Sequence, residues 1–303
     1  MSLDTDQIVD RRRLKRRLTV WRIAAVIAVI TAVVVAFERG DSLGGRDYVA
    51  RLVVQGIIFD DSDRHELLTA LSKDEKVKAL IIRINSPGGT VVGGEALYHS
   101  VREFSKKKPV VAVMGETATS AAYMVAIATD QIFAHAGSIT GSIGVLMQTA
   151  DVTKLLEKIG IKPEAIKSGP LKAQPNPMEP FSGRARAAIQ SVVKDLYELF
   201  VGMVRERRQF TAEKAKELAD GRVYTGRQAL KNGLLDALGG EAQARQWLSK
   251  TRKIDLKLPI QNVGVRRLSE TWRELFGELV GKILFSERLR LDGPISVWHP
   301  ELR

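Results

Sequence analysis

Cysteine is missing from all 303 residues. That excludes disulfides, thiolate metal sites and a cysteine nucleophile. Histidine is scarce: His65, His99, His135 and His299 are the only four, and none falls between Ala136 and Trp298. No grouping of His, Asp and Glu has metal-ligand spacing, so neither a metal nor any other cofactor is expected. Internal repeats and low-complexity runs are absent, which leaves room for one catalytic unit. Aromatics make up 6% of the chain and do not interleave with its basic residues, so the net charge of +12 does not read as a nucleic-acid footprint.

The positive charge is instead concentrated at the N-terminus, where residues 1–22 hold seven Lys/Arg against three Asp. Residues 1–17 form a basic tail ending in Arg11-Arg12-Arg13-Leu14-Lys15-Arg16-Arg17, and Leu18 to Phe37 is mostly Ala, Val and Ile. Twenty helical residues span about 30 Å, the depth of a hydrocarbon core. A basic flank on the N-terminal side predicts a single-pass anchor with its tail in the cytoplasm and the rest of the chain outside. The alternative is a cleaved signal peptide ending at Val34-Val35-Ala36.

Residues 38–47, rich in glycine and charge, read as a linker. From Tyr48 the pattern alternates. Arg51–Phe59, Val77–Ile84 and Val110–Met114 are strand-like, while Asp61–Ser72 and Gly94–Phe104 are helical. Continuous apolar strands separated by helices predict an α/β fold with a mostly parallel, covered sheet. Phe181–Gln209 reads as one long amphipathic helix, with a short one opening at Thr211. Leu268, Trp272, Leu275, Phe276, Leu279 and Ile283 recur at helical spacing in a C-terminal extension, 251–303.

Four segments can carry chemistry. Asn85-Ser86-Pro87-Gly88-Gly89 follows a strand, and its glycines let backbone N–H groups turn toward an oxyanion; a tight turn without ligand fits equally. Ser120, in Ala118-Thr119-Ser120-Ala121-Ala122-Tyr123, stands where a helix begins, placed either to attack or simply to cap. The Ala121 N–H points to the same place. Ser142, in Gly141-Ser142-Ile143-Gly144, can hydrogen-bond an amine, or belong to a glycine-rich turn. Lys172, in Ser168-Gly169-Pro170-Leu171-Lys172, is the available base in a chain with no histidine suitably downstream of Ser120. A lysine serves as base only when burial lowers its solution pKa of about 10.4.

Taken in this order, the four segments resemble the signal peptide peptidase A family of serine proteases, over about residues 48–250. Gly221-Arg222-Val223-Tyr224-Thr225-Gly226 and Gly233-Leu234-Leu235-Asp236 extend the likeness. The resemblance implies the fold shared by Clp protease and crotonase, built of repeated β-β-α units. It also implies a Ser120/Lys172 dyad, Ser142 as the lysine-orienting residue, and Gly89 and Ala121 as oxyanion donors. One departure stands out: the family commonly has two glycines after the nucleophile, where this chain has Ala121 and Ala122. The implied activity is endopeptidase cleavage of hydrophobic peptides, signal peptides foremost, by a homo-oligomeric ring on the extracytoplasmic side of a bacterial inner membrane, in contact with lipid. Two rival readings are a same-clan protease that cuts another membrane protein, and a crotonase-like acyl-CoA enzyme.

Overall fold

The computed structural model describes residues 18–26, 28–29 and 46–264. Residues 18–26 and 28–29 are helical with exposed side chains. The remainder of the expected anchor, residue 27 and residues 30–37, lies outside the described residues, as does the apolar stripe of 268–283. Among the described residues no helix is long and apolar enough to cross a membrane.

The body is an α/β fold. Strand β1 (Tyr48–Ile58) leads through helix α1 (Ser62–Lys73) into β2 (Val77–Gly89), then through α2 (Val91–Ser105) into β3 (Val110–Thr119). Local chemistry sets these boundaries. The Asp61 carboxylate accepts from the Arg64 N–H to start α1, and Thr90 Oγ1 accepts from the Gly93 N–H to start α2. Both fill backbone donors that have no partner inside the helix. The short helix α3 (Ala121–Ile127) follows β3, and then come β4 (Gln131–Ala134) and β5 (Ile139–Gly141).

Residues 145–181 form an arm carrying only the short helix α4 (Thr153–Lys158), none of whose residues is buried. The long α5 (Gly183–Arg208), α6 (Ala212–Leu218), β6 (Val223–Thr225), α7 (Gly226–Asn232), β7 (Ala237–Leu238), α8 (Glu241–Arg252) and β8 (Ile260–Val263) complete the body.

The sheet runs β6-β5-β3-β2-β1-β8, with β4 between β3 and β7 off that path. Every pairing described is parallel except β5 with β6. β3 changes partner along its length. Val111–Met114 pair with β4, whereas Thr117–Thr119 pair with β5. The fork opens the sheet at the carboxyl end of β3, the position at which open parallel sheets form their ligand crevices.

One face of the sheet packs Val49, Ala79, Ile81, Val111, Val113 and Phe133 against Ala244 and Leu248 of α8. Elsewhere α3 is buried along its whole length, and Tyr123 is wholly enclosed with its hydroxyl donating to Leu234 O at 2.8 Å. That burial pushes the Tyr123 phenol well above its ordinary 10.0. The basic end of α5 closes the C-terminus of α3, since Arg207 donates to Ile127 O at 2.8 Å and Thr129 O at 3.1 Å. Cations on the last carbonyls of a helix offset its dipole.

The structure departs from the sequence expectation at Asn85–Gly89. The segment is not a turn: β2 runs extended through it to Gly89, with an irregularity between Ile84 and Ser86.

Candidate active site

Ser120 is the hinge between β3 and α3. Its N–H donates to Gly141 O at 2.8 Å and its carbonyl accepts from the Met124 N–H at 3.0 Å. Its backbone angles, φ 56° and ψ −125°, lie where a non-glycine residue is strained, and its side chain makes no capping hydrogen bond. Capping therefore does not explain the serine. A sharp, strained turn from strand to helix lifts a side chain clear of both elements, the geometry of a nucleophile elbow.

The turn is held by the end of β2. Gly88 has φ +114°, and a Cβ on it would lie 2.8 Å from Ser120 Cβ, 3.0 Å from Thr119 O and 3.2 Å from Ala121 N. Only glycine lets the two chains approach so closely. Thr119 Oγ1 donates to Pro87 O at 3.0 Å, tying the two strand ends together. Ser86 is 1% exposed, with Oγ donating to Gly56 O at 2.5 Å and accepting from the Gly88 N–H at 3.1 Å. That hydroxyl is fully employed in holding the end of β2. Gly89 faces the other way, and a Cβ there would fall 1.9 Å from Ile58 O in β1. Ala121, at the first position of α3, is buried, and its N–H has no acceptor inside the helix.

Ser142 comes directly after β5. Because Thr119 pairs with Gly141, the two serines leave neighbouring strands side by side. Ser142 has φ 50°, is half-buried, and anchors its N–H on Arg222 O at 2.8 Å. The fork thus brings Ser120, Ala121, Gly88 and Ser142 to one place. Lys172 lies on the arm instead, in a turn closed by its own N–H on Gly169 O at 3.1 Å, and its side chain is exposed.

Sequence reasoning missed Gly88 as the residue packed against Ser120. The available signal was the consecutive Gly-Gly, which does not say which glycine faces which strand.

A Ser-His-Asp string exists elsewhere: Ser100 Oγ lies 2.6 Å from His65 Nδ1, and His65 Nε2 lies 3.0 Å from Asp60 Oδ1. Ser100 sits inside α2 with its hydroxyl also on Ala96 O at 3.1 Å. The helix uses the N–H groups around it, so no oxyanion could be held there. Among the described residues no cluster of His, Asp and Glu can hold a metal.

A strained, uncapped serine at the open end of a parallel strand, against a glycine-rich strand end, is the candidate site. The model of peptidase family S49 matches residues 102–255, and that of Clp protease matches residues 52–149. The chain belongs to peptidase family S49 and is a serine protease. It is 39% identical over 212 residues to a Synechocystis sp. protein ascribed protease activity, covering 69% of this chain and 76% of that one. An Enterococcus faecium protein ascribed to signal peptide peptidase A is 33% identical, covering 68% of this chain and 64% of its own length. The chloroplastic serine protease SPPA of Arabidopsis thaliana is 30% identical over 74% of this chain, which spans a third (33%) of that relative.

Proposed function

We propose that the chain is a membrane-anchored endopeptidase that degrades hydrophobic peptides, cleaved signal peptides among them, with Ser120 as nucleophile and Lys172 as base. The observation that carries this reading is the strained Ser120 turn with its uncapped hydroxyl. In the reaction Lys172 Nζ takes the proton from Ser120 Oγ as Oγ attacks the peptide carbonyl. The ammonium then protonates the leaving amine; a water gives its proton to the same lysine as it attacks the acyl carbonyl, and the ammonium returns that proton to Ser120 Oγ as the acyl product leaves. Gly89 and Ala121 N–H groups hold the oxyanion. The part given to Gly89 comes from the family resemblance; the neighbouring Gly88 N–H is committed to Ser86 Oγ at 3.1 Å. Each such donor contributes about 3–4 kcal/mol to the barrier reduction. Ser142, beside Ser120, receives and orients the amine.

The dyad needs Lys172 out of water, and the single chain leaves it exposed. The same arm exposes Leu146, Leu155, Ile159, Ile161 and Ile166. A second copy packed over the arm would cover both, which supports a homo-oligomeric ring. The basic N-terminal flank orients the anchor with the catalytic body on the extracytoplasmic side, where peptides left in the bilayer after secretion are at hand, alongside lipid.

The test is to treat the full chain with a serine-reactive fluorophosphonate and map the adduct. Labelling is expected at Ser120 and is expected to vanish in Ser120→Ala; an adduct on any other serine overturns the mechanism.

A further inference from the structure

The arm that carries Lys172 holds a small polar knot around Glu179. Lys167 Nζ ion-pairs with Glu179 Oε2. Gln174 Nε2 donates to the same oxygen at 2.8 Å, and Asn176 Nδ2 donates to Oε1 at 3.1 Å. The backbone closes the same knot, with the Glu179 N–H on Asn176 O at 3.2 Å. The Val152 N–H on Pro177 O at 2.9 Å fastens it to the outgoing stretch of the arm.

These partners lie on both sides of Lys172 in the chain, five residues before it and two and four after. One carboxylate therefore pins both flanks of the turn on which Lys172 stands. The knot is shielded: the Lys167 and Glu179 side chains are 15% and 27% exposed, in an arm that otherwise faces solvent. Gln174 Oε1 is buried with no hydrogen-bond partner among the described residues, so its amide is held by its bond to Glu179.

We infer that Glu179 is a positioning residue for the reaction: its carboxylate fixes the Lys172 turn so that the amine is delivered to Ser120 in one place. This inference rests on the dyad reading above. The occupancy of the carboxylate matters as much as its position. Oε2 holds Lys167 and Gln174 while Oε1 holds Asn176, so Lys167 neutralises the acid, and among the described residues no ion pair joins Lys172 to a carboxylate. An acid bound to the catalytic amine would favour its ammonium form and oppose its use as base. Glu179 thus shapes the base without touching the reacting atoms.

The experiment compares full-chain wild type, Glu179→Ala, Glu179→Gln and Lys172→Ala on a fluorogenic hydrophobic peptide, recording kcat, KM and the pH–rate profile. Glu179→Ala is expected to lower kcat at least tenfold with KM within twofold, and to move the rising limb of the profile, because the amine is then no longer held in one environment. Glu179→Gln, which keeps an acceptor and the volume, is expected to recover part of kcat. A Glu179→Ala enzyme with wild-type kcat and profile, where Lys172→Ala is inactive, overturns the positioning role. So does an equal loss at every pH with the profile unmoved, which marks mere structural damage. Wild-type turnover in Lys172→Ala instead removes the dyad, and this inference falls with it.

Discussion

At Ser120 the backbone is held in a region that costs a non-glycine residue about 1–3 kcal/mol, a cost that only surrounding structure can sustain. Gly88 belongs to that structure, and it invites a direct test. Gly88→Ala forces a methyl to 2.8 Å from Ser120 Cβ and places alanine at φ +114°. The expected result is a loss of kcat of about a hundredfold, as for a small misplacement of a reacting group, with Ser120 still present; steady-state kinetics and fluorophosphonate labelling rate both read it. Gly89→Ala differs in kind, because its methyl meets the β1 backbone. The expected loss there is of folded protein, seen in the yield and unfolding midpoint. At this scale the sequence named the residue types at the site but not their angles. Nothing in Thr-Ser-Ala-Ala separates a capping serine from an uncapped one, and the pinning of the Lys172 turn by Glu179 depends on contacts across the arm that no motif spells.

Among the elements, α3 is the one on which the site depends most, since it carries Ala121 and is enclosed throughout. Its anchor is the Tyr123 hydroxyl on Leu234 O. Tyr123→Phe leaves that carbonyl unpaired in the interior and is expected to cost about 1–3 kcal/mol at neutral pH, measured by urea unfolding. The phenol adds a pH signature. Its folded pKa lies above the unfolded 10.0, so its contribution is present in full below pH 10.0 and is lost as pH rises from there toward the folded value. The gap in stability between wild type and Tyr123→Phe should therefore narrow above pH 10.0; a gap that stays constant across that window would mean that the phenol ionises alike in both states. Long elements such as α1, α2, α5 and the centres of β1, β2 and β3 were legible in sequence because apolar periodicity needs several residues to declare itself. The strands β4 to β8, two to four residues each, were not: such segments are extended because a neighbour pairs with them. For the same reason apolar patterning ends β2 at Ile84, whereas its partners carry it to Gly89.

For the whole molecule, the arm and the N-terminal charge lead to two measurements. If covering the arm is what completes the site, activity per chain should fall on dilution, together with the oligomer followed by light scattering; activity independent of concentration down to fully monomeric chain would refute that assembly. A phosphatase reporter fused after Arg303 that works only outside the cytoplasm is expected to be active, and neutralising Arg11–Arg17 should weaken that orientation.

The order of the sheet sets a schedule as well as a shape. Val49 pairs with Ile260 and Leu52 with Val263, so a strand laid down at the start of the body waits for one made at its end. At about 5–20 residues per second, translation of the intervening chain takes roughly 10–40 s. Throughout that interval the outer edge of β1 lacks its partner, a row of backbone donors and acceptors of the kind that recruits other chains. A chain that ends before Ile260 carries the nucleophile, the arm and its lysine on a sheet open at one side, so the consequence of such a truncation is an unpaired edge and not a missing catalytic part.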